Sequence, residues 1–296
     1  MSPAIRFHGE RRNRLGESPL WDHRVGRLYW ADSIAPAICS SDAGGGDLRE
    51  WLLPMAVGSI ALAETGLVAA LADGFYRFDP ASGSCECIVR PDLGEIPVRF
   101  NDGKADRQGR FLSGTMRHDA AGGQAGRLFR LDRDGTVALL ESDFALANAL
   151  CFSPDGATLY FADSHEGLVR AYDYDIASGT PSNRRTLIET RSLGSVPDGA
   201  TVDAEGCLWI AMVQAQKLIR VTPGGEVVGE ITTPMPFPAC PAFGGANLAT
   251  MYVTSIGSSG SLSSDHPDAG RTVAITGLPC GGIAEAVCSF SSEATP

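Results

Sequence analysis

The stretch "DGATLYFADSHEGLVRAYDYDIASG", residues 155–179, decides the fold. It turns at Gly156, runs through a short β-rich segment, turns again at Gly167, alternates apolar with polar residues and closes on a third turn. Two strands fit this pattern and a helix does not. The same plan recurs along the chain. "VGRLYWAD" (25–32), "TGLVAALAD" (65–73), "QGRFLSGTM" (108–116), "EGCLWIAMV" (205–213) and "LATMYVTSI" (248–256) are further copies, spaced by about 40 to 50 residues. Second alternating runs such as "GFYRFDPASG", "GRLFRLDRDG" and "KLIRVTPGG" follow most of them. Several short strands at a period of that size are the pattern of a β-propeller with one four-stranded antiparallel sheet per blade. Six repeats predict an all-β, six-bladed propeller filling residues 1–296 as one domain, with "AIRFHGE" at the N-terminus pairing with the last blade near "AVCSF" to close the ring.

Composition agrees with one large all-β unit. Of 296 residues, 44% are apolar and 20% charged, enough for a sizeable core, and the 35 glycines and 18 prolines are scattered as turn punctuation. A formal charge of -11 disfavours nucleic acid and anionic membrane as partners and favours a small molecule. The N-terminal stretch has no apolar leader and no run is long enough to span a bilayer, so the expected location is cytoplasmic, as a monomer or weak homo-oligomer. Most of the eight cysteines sit in apolar runs such as "NALCFS" and read as buried free thiols. Cys85 and Cys87 form the one close pair, without the second pair that a zinc site needs.

The turn glycines provide a ruler. Counting back eight or nine residues from Gly26, Gly66, Gly109, Gly156 and Gly206 reaches Glu17, Gly58, Asn101, Asn148 and Asp198. The sixth equivalent, around Cys240, lacks a polar residue. Innermost strands of a propeller surround one channel, so these positions form a ring of two carboxylates and two amides. Such oxygens, without histidine or thiolate, suit calcium, magnesium or manganese, and zinc and ferrous iron also accept carboxylates. Three protein oxygens leave positions open for water or substrate.

With these residues in place, "LGESPLW", "RFNDGKAD…GRFLSGTM", "NALCFSPDGATLYFADS", "PDGATVDAEGCLWIA" and "CPAFGGANLATMYVT" resemble the gluconolactonase, senescence-marker protein (regucalcin) and luciferin-regenerating enzyme family from about residue 14 to 256. The resemblance implies one divalent ion in the channel and hydrolysis of sugar-acid lactones. It implies metal ligation by Glu17, Asn148 and Asp198, and substrate contact by Arg99 and Asn101. The family often has Asn-Gly where this chain has Asn148-Ala149. A further substrate contact falls on the variable stretch after "GTM", on Asp119, Arg117 or His118.

Lactone opening needs a polarised carbonyl, an activated water and a proton donor for the departing alkoxide. Asp198 is the candidate base, with a metal-bound hydroxide as the competing nucleophile, and Arg99 and Asn101 supply fixed donors for a polyhydroxylated substrate. Asp102 before Gly103 reads as turn geometry and Lys104 as structural. Asp32, Asp106, Asp163 and Asp203 read as blade-to-blade hydrogen bonding, and "GSSGSLSS" (257–264) as a flexible loop. The expected function is a metal-dependent sugar lactonase. The alternatives are a propeller hydrolase acting on phosphotriesters or non-sugar lactones, or a calcium-binding regulatory protein.

Overall fold

Alternation along the second strand of each repeat sets the architecture. In Arg27–Asp32, Leu28 and Trp30 enter one apolar seam while Tyr29 and Ala31 enter the opposite one. Both faces of the sheet are therefore buried, and each blade must be sandwiched between two others. The structure, a computed structural model, describes residues 3–117 and 123–290. Six antiparallel blades follow one another in a ring.

The first blade comprises Gly16–Asp22, Arg27–Asp32, Ala37–Asp42 and Arg49–Leu52, and the second Val57–Ala63, Leu67–Leu71, Gly74–Phe78 and Cys85–Val89. The third is built from Val98–Ala105, Phe111–Arg117, Gly126–Leu131 and Val137–Phe144. The fourth holds Ala147–Phe152, Thr158–Asp163, Leu168–Asp175 and Thr180–Glu189, and the fifth Pro197–Val202, Leu208–Met212, Lys217–Val221 and Val227–Thr232. Pro238–Gly244, Thr250–Ser255 and Val273–Thr276 begin the sixth. Each adjacent pair shares an apolar seam, such as Leu62, Leu67 and Ile38 between the first and second blades and Phe75, Phe100 and Phe111 between the second and third. These buried seams hold the ring together.

The ruler glycines Gly26, Gly66, Gly109, Gly156 and Gly206 all lie in the left-handed region, φ +64 to +84°, in the turn joining first and second strands. One element of the ring was invisible to that count. In every blade the innermost strand slips register against its neighbour at the same level: between Glu17 and Leu20, Val57 and Ser59, Phe100 and Gly103, Asn148 and Cys151, Pro197 and Ala200, and Pro238 and Pro241. A bulge inserts an extra residue and re-aims the side chains around it. Glu17, Arg99, Asn101, Asn148 and Asp198 all flank or occupy these bulges.

Ring closure differs from expectation. The N-terminal strand Ala4–Phe7 does complete the sixth blade, but its partner is Val273–Thr276, with Ile5 opposite Ile275. The "AVCSF" segment instead places Val287–Cys288 parallel to Leu62–Ala63, on the inner edge of the second blade. "RTVAIT" supplies the alternating strand that the N-terminus needs, and the serine-rich loop before it masks the repeat.

The C-terminal segment leading to Val287–Cys288 straps the end of the channel reached by the first turns. Ala204 N donates to Gly281 O (2.9 Å), Gly282 N to Leu248 O (2.8 Å), and Lys104 Nζ reaches Glu285 Oε1 at 2.5 Å. Lys104 is thus structural, as expected. Among the described residues no helix is long and apolar enough to cross a membrane, and all eight cysteines are free, five of them buried.

Candidate active site and metal centre

At the opposite end of the channel from the strap lies a cavity of about 530 Å³. Glu17, Arg99, Asn101, Asn148 and Asp198 all line it, from four different blades. Glu17 and Asn148 pair with the second strand immediately before their bulges, opposite Ala31 and Ala162, whereas Asn101 and Asp198 lie inside theirs. Ser18 and Ala149, the residues after Glu17 and Asn148, have φ of 49° and 51°. Left-handed backbone at 149 is a conformation that favours glycine, and alanine adopts it here.

A chain of hydrogen bonds fixes the amides. Arg99 donates from its guanidinium to Phe100 O (2.8 Å) and Asn101 Oδ1 (3.1 Å). Asn101 Nδ2 donates to Ala147 O (2.9 Å) and to Asn148 Oδ1 (3.1 Å). Asn148 Nδ2 donates to Ser164 Oγ (2.9 Å), whose own hydroxyl donates to Pro197 O (2.6 Å). Each amide has its nitrogen committed, so the Asn148 oxygen is held on the side of Asn101 and the cavity.

The Asp198 carboxylate has no such hydrogen bond among the described residues, and Glu17 has that of the Ser18 backbone. Burial, then the charges of Asp198 and Asp102, push the Glu17 carboxyl well above its ordinary range. Burial and Asp102 do the same to Asp198. Asp102 lies inside the bulge, not in a turn, and accepts the amides of Gly103 and of Leu150 in the next blade, each at 2.8 Å. Its role is to tie the third and fourth blades. Burial pulls the Arg99 guanidinium down, opposed by Glu17, and among the described residues no carboxylate comes within ion-pair distance of it. Beneath the site the Cys240 thiol presses on the axis, where a Cβ at Gly199 would stand 2.4 Å from its sulfur.

Two buried carboxylates facing one cavity repel each other, and a divalent cation would relieve both. No three His, Cys, Asp or Glu side chains cluster closely enough to hold an ion among the described residues. A cation here would therefore rest on the Glu17 and Asp198 carboxylates and the Asn148 amide oxygen, a hard-oxygen set that fits it.

A family model described as the SMP-30/Gluconolactonase/LRE-like region matches residues 15–257. The chain belongs to that family. The chain is 37% identical over 245 residues to the 6-deoxy-6-sulfogluconolactonase of Pseudomonas putida, covering 81% of this chain and 83% of the relative. A solved luciferin-regenerating enzyme superposes with a TM-score of 0.89 at 30% identity, covering 98% of this chain and 100% of that one. The calcium-binding protein regucalcin from Agrobacterium tumefaciens str. C58 gives the same TM-score at 27% identity, over 96% and 97% of the two chains.

In this SMP-30/gluconolactonase member the cavity rim includes residues that counting inner strands missed. Ser164, Gln214, Ser259 and Leu262 line it, as does His165, which follows the second strand of the fourth blade. All follow the ends of second strands, which meet the starts of the inner strands at the same mouth; a count from those ends finds them. The serine-rich segment is a wall, with Ser259 N donating to Leu262 O at 2.7 Å. Asp119 and His118 lie outside the described residues. Asp32, Asp106, Asp163 and Asp203 do not form one blade-to-blade set. Asp32 and Asp163 accept the Leu15 and Leu146 amides just before their own inner strands (3.1 and 3.2 Å), while Asp106 and Asp203 brace first turns. Of these four, Asp106 alone is seen to reach the next blade among the described residues, accepting the Tyr174 hydroxyl at 2.9 Å.

Proposed function

We propose that this protein is a metal-dependent sugar lactonase that opens an aldonolactone to its acid. The observation that carries the reading is the half-buried Arg99, with no ion-pair partner among the described residues, facing two charge-frustrated carboxylates across one cavity. A site that merely stored an ion would have no use for an arginine beside it. The name of the Pseudomonas putida relative, a gluconolactonase acting on a sulfonated sugar, supports the same chemistry.

Glu17, Asn148 and Asp198 would hold a divalent ion, which when bound acts as a Lewis acid toward the lactone carbonyl. Arg99 and Asn101, locked to each other and to the backbone, orient the carbonyl and hydroxyl oxygens of the substrate. The Asp198 carboxylate takes a proton from the attacking water as its oxygen bonds to the carbonyl carbon. When the ring C–O bond breaks, that proton passes to the departing ring oxygen, giving the hydroxy acid and restoring Asp198. The apolar wall of Leu15, Ile34 and Val213 favours one second reading, a non-sugar lactone or phosphotriester bound by the same groups.

The test is the rate at which purified protein, supplied in turn with Ca, Zn, Mn, Mg or Fe(II), opens xylono-, arabinono-, glucono- and galactonolactone. Acceleration over spontaneous opening is expected. No acceleration with any ion overturns the reading, and turnover confined to non-sugar lactones or phosphotriesters selects the alternative.

A further inference from the structure

The floor of the cavity is acidic, yet its rim carries a cation whose position is built. Arg191 opens the short 3-10 helix Arg191–Leu193 on the connection between the fourth and fifth blades, seven residues before Asp198. Its Nε donates to Glu166 O at 3.0 Å and a terminal nitrogen to His165 O. Its stem lies over Gly167, where a Cβ would stand 2.6 Å from the Arg191 Cγ, so the glycine makes the seat. Two backbone carbonyls therefore fix the guanidinium in orientation without neutralising it. Among the described residues no carboxylate lies within ion-pair distance, although Glu166 is adjacent and is engaged with Arg170. The second terminal nitrogen is left with its protons unassigned, and both Arg191 and His165 line the cavity.

A chain of net charge -11 repels anions at long range, and a fixed cation at the mouth with no carboxylate partner among the described residues is suited to admit something negative there. A guanidinium offers parallel donors that match the oxygens of a carboxylate, phosphate or sulfonate. Arg99 lies deeper, beside the carboxylate floor, and is engaged with Asn101, which leaves Arg191 as the cation available to a substituent remote from the reacting carbonyl.

We infer that the site selects sugar lactones bearing an anionic substituent at the end of the molecule away from the carbonyl, and that Arg191 is the residue that reads that charge. This inference rests on the lactonase reading and narrows its substrate class. The substituent's shared chemistry is a tetrahedral or planar oxyanion, and matched substrates separate the sources.

The experiment compares kcat/KM of the ion-supplied protein for gluconolactone, 6-phosphogluconolactone, 6-deoxy-6-sulfogluconolactone and glucarolactone, at low and high salt. At least one anionic lactone is expected to exceed the neutral one by about ten-fold, the worth of one charge-assisted contact, with the advantage shrinking as salt rises. Whichever anion leads identifies the source. In Arg191→Ala the rate for the anionic lactone falls about ten-fold more than that for gluconolactone, and Arg191→Lys restores part of the difference. Equal rates for neutral and charged lactones, or an equal loss for both in Arg191→Ala, overturn the inference and leave the lactonase reading standing. Calorimetric titration with the ring-opened acid 6-phosphogluconate keeps the inference testable if no lactone is opened. Binding weakened about ten-fold by Arg191→Ala supports an anion site, and binding indifferent to that change or absent overturns it.

Discussion

Asn101 Nδ2 donates to Asn148 Oδ1 at 3.1 Å, joining the third blade to the fourth across the channel mouth. A residue assigned to substrate therefore also aims a residue assigned to the ion. Asn101→Ala is expected to lower kcat/KM for a lactone by about 10- to 100-fold, on the scale of losing one or two oriented donors. Ion affinity should drop by less than ten-fold. Asp198→Ala, by contrast, is expected to remove activity and ion binding together. Steady-state kinetics beside isothermal titration with the activating ion checks both, and retained activity in Asp198→Ala would sink the assignment.

The ion-free protein carries an electrostatic liability at Glu17 and Asp198. Glu17→Gln removes one of two buried like charges at little change in volume. In the presence of chelator it is expected to raise stability by about 1 kcal/mol, a Tm gain of about 2–4 °C. The same variant should lose the further rise that an added divalent ion produces in the parent protein. Thermal melts with chelator and with ion distinguish the two effects.

Ala149 pays for a left-handed backbone at φ 51° with its methyl group buried. Glycine relieves the backbone by about 1 kcal/mol and forfeits about 0.8 kcal/mol of methyl burial, so Ala149→Gly should be neutral to within about 0.5 kcal/mol. Ala162, equally buried in the regular strand opposite, should lose about 1–2 kcal/mol on the same change. Denaturant melts of the two variants provide the comparison.

The pair Lys104 and Glu285 is largely buried, with side-chain exposures of 19% and 9%. Glu285→Ala strands the ammonium and is expected to cost about 3 kcal/mol. Lys104→Met combined with Glu285→Leu should recover most of that loss. A double-mutant cycle in urea measures it, and additive losses would show that the two side chains do not interact.

Acid should weaken the ring closure through His8. Burial, then Arg6, lowers its imidazole to about 4 from 6.5, with Asp42 opposing, and its Nε2 meets Ser41 Oγ at 2.8 Å. Between those values the unfolded chain binds the proton that the folded chain refuses. The stability contribution is thus complete above about pH 6.5 and is lost as pH falls toward 4. Replacing His8 with glutamine should flatten this part of the stability-versus-pH curve.

Much of the architecture is legible because it is local. A glycine in a left-handed turn followed by five or six apolar residues announces a blade, and counting back from Gly26, Gly156 and Gly206 lands on the residues that line the cavity. What the count could not reach depends on partners distant in sequence. Val287–Cys288 is too short to read as a strand until Leu62–Ala63 is beside it, and Arg191 belongs to no repeat. Its place on the rim comes from two carbonyls and a glycine of the preceding blade. The inner-strand bulges hide for a related reason, since a bulge is a mismatch between two strands and leaves no mark on either alone.

Among the described residues the C-terminal strap crosses one end of the channel and the cavity opens at the other. Substrate must arrive and acid must depart through the mouth framed by Arg191 and the serine-rich wall, so the two compete for one passage. The hydroxy acid is therefore expected to inhibit competitively with respect to the lactone.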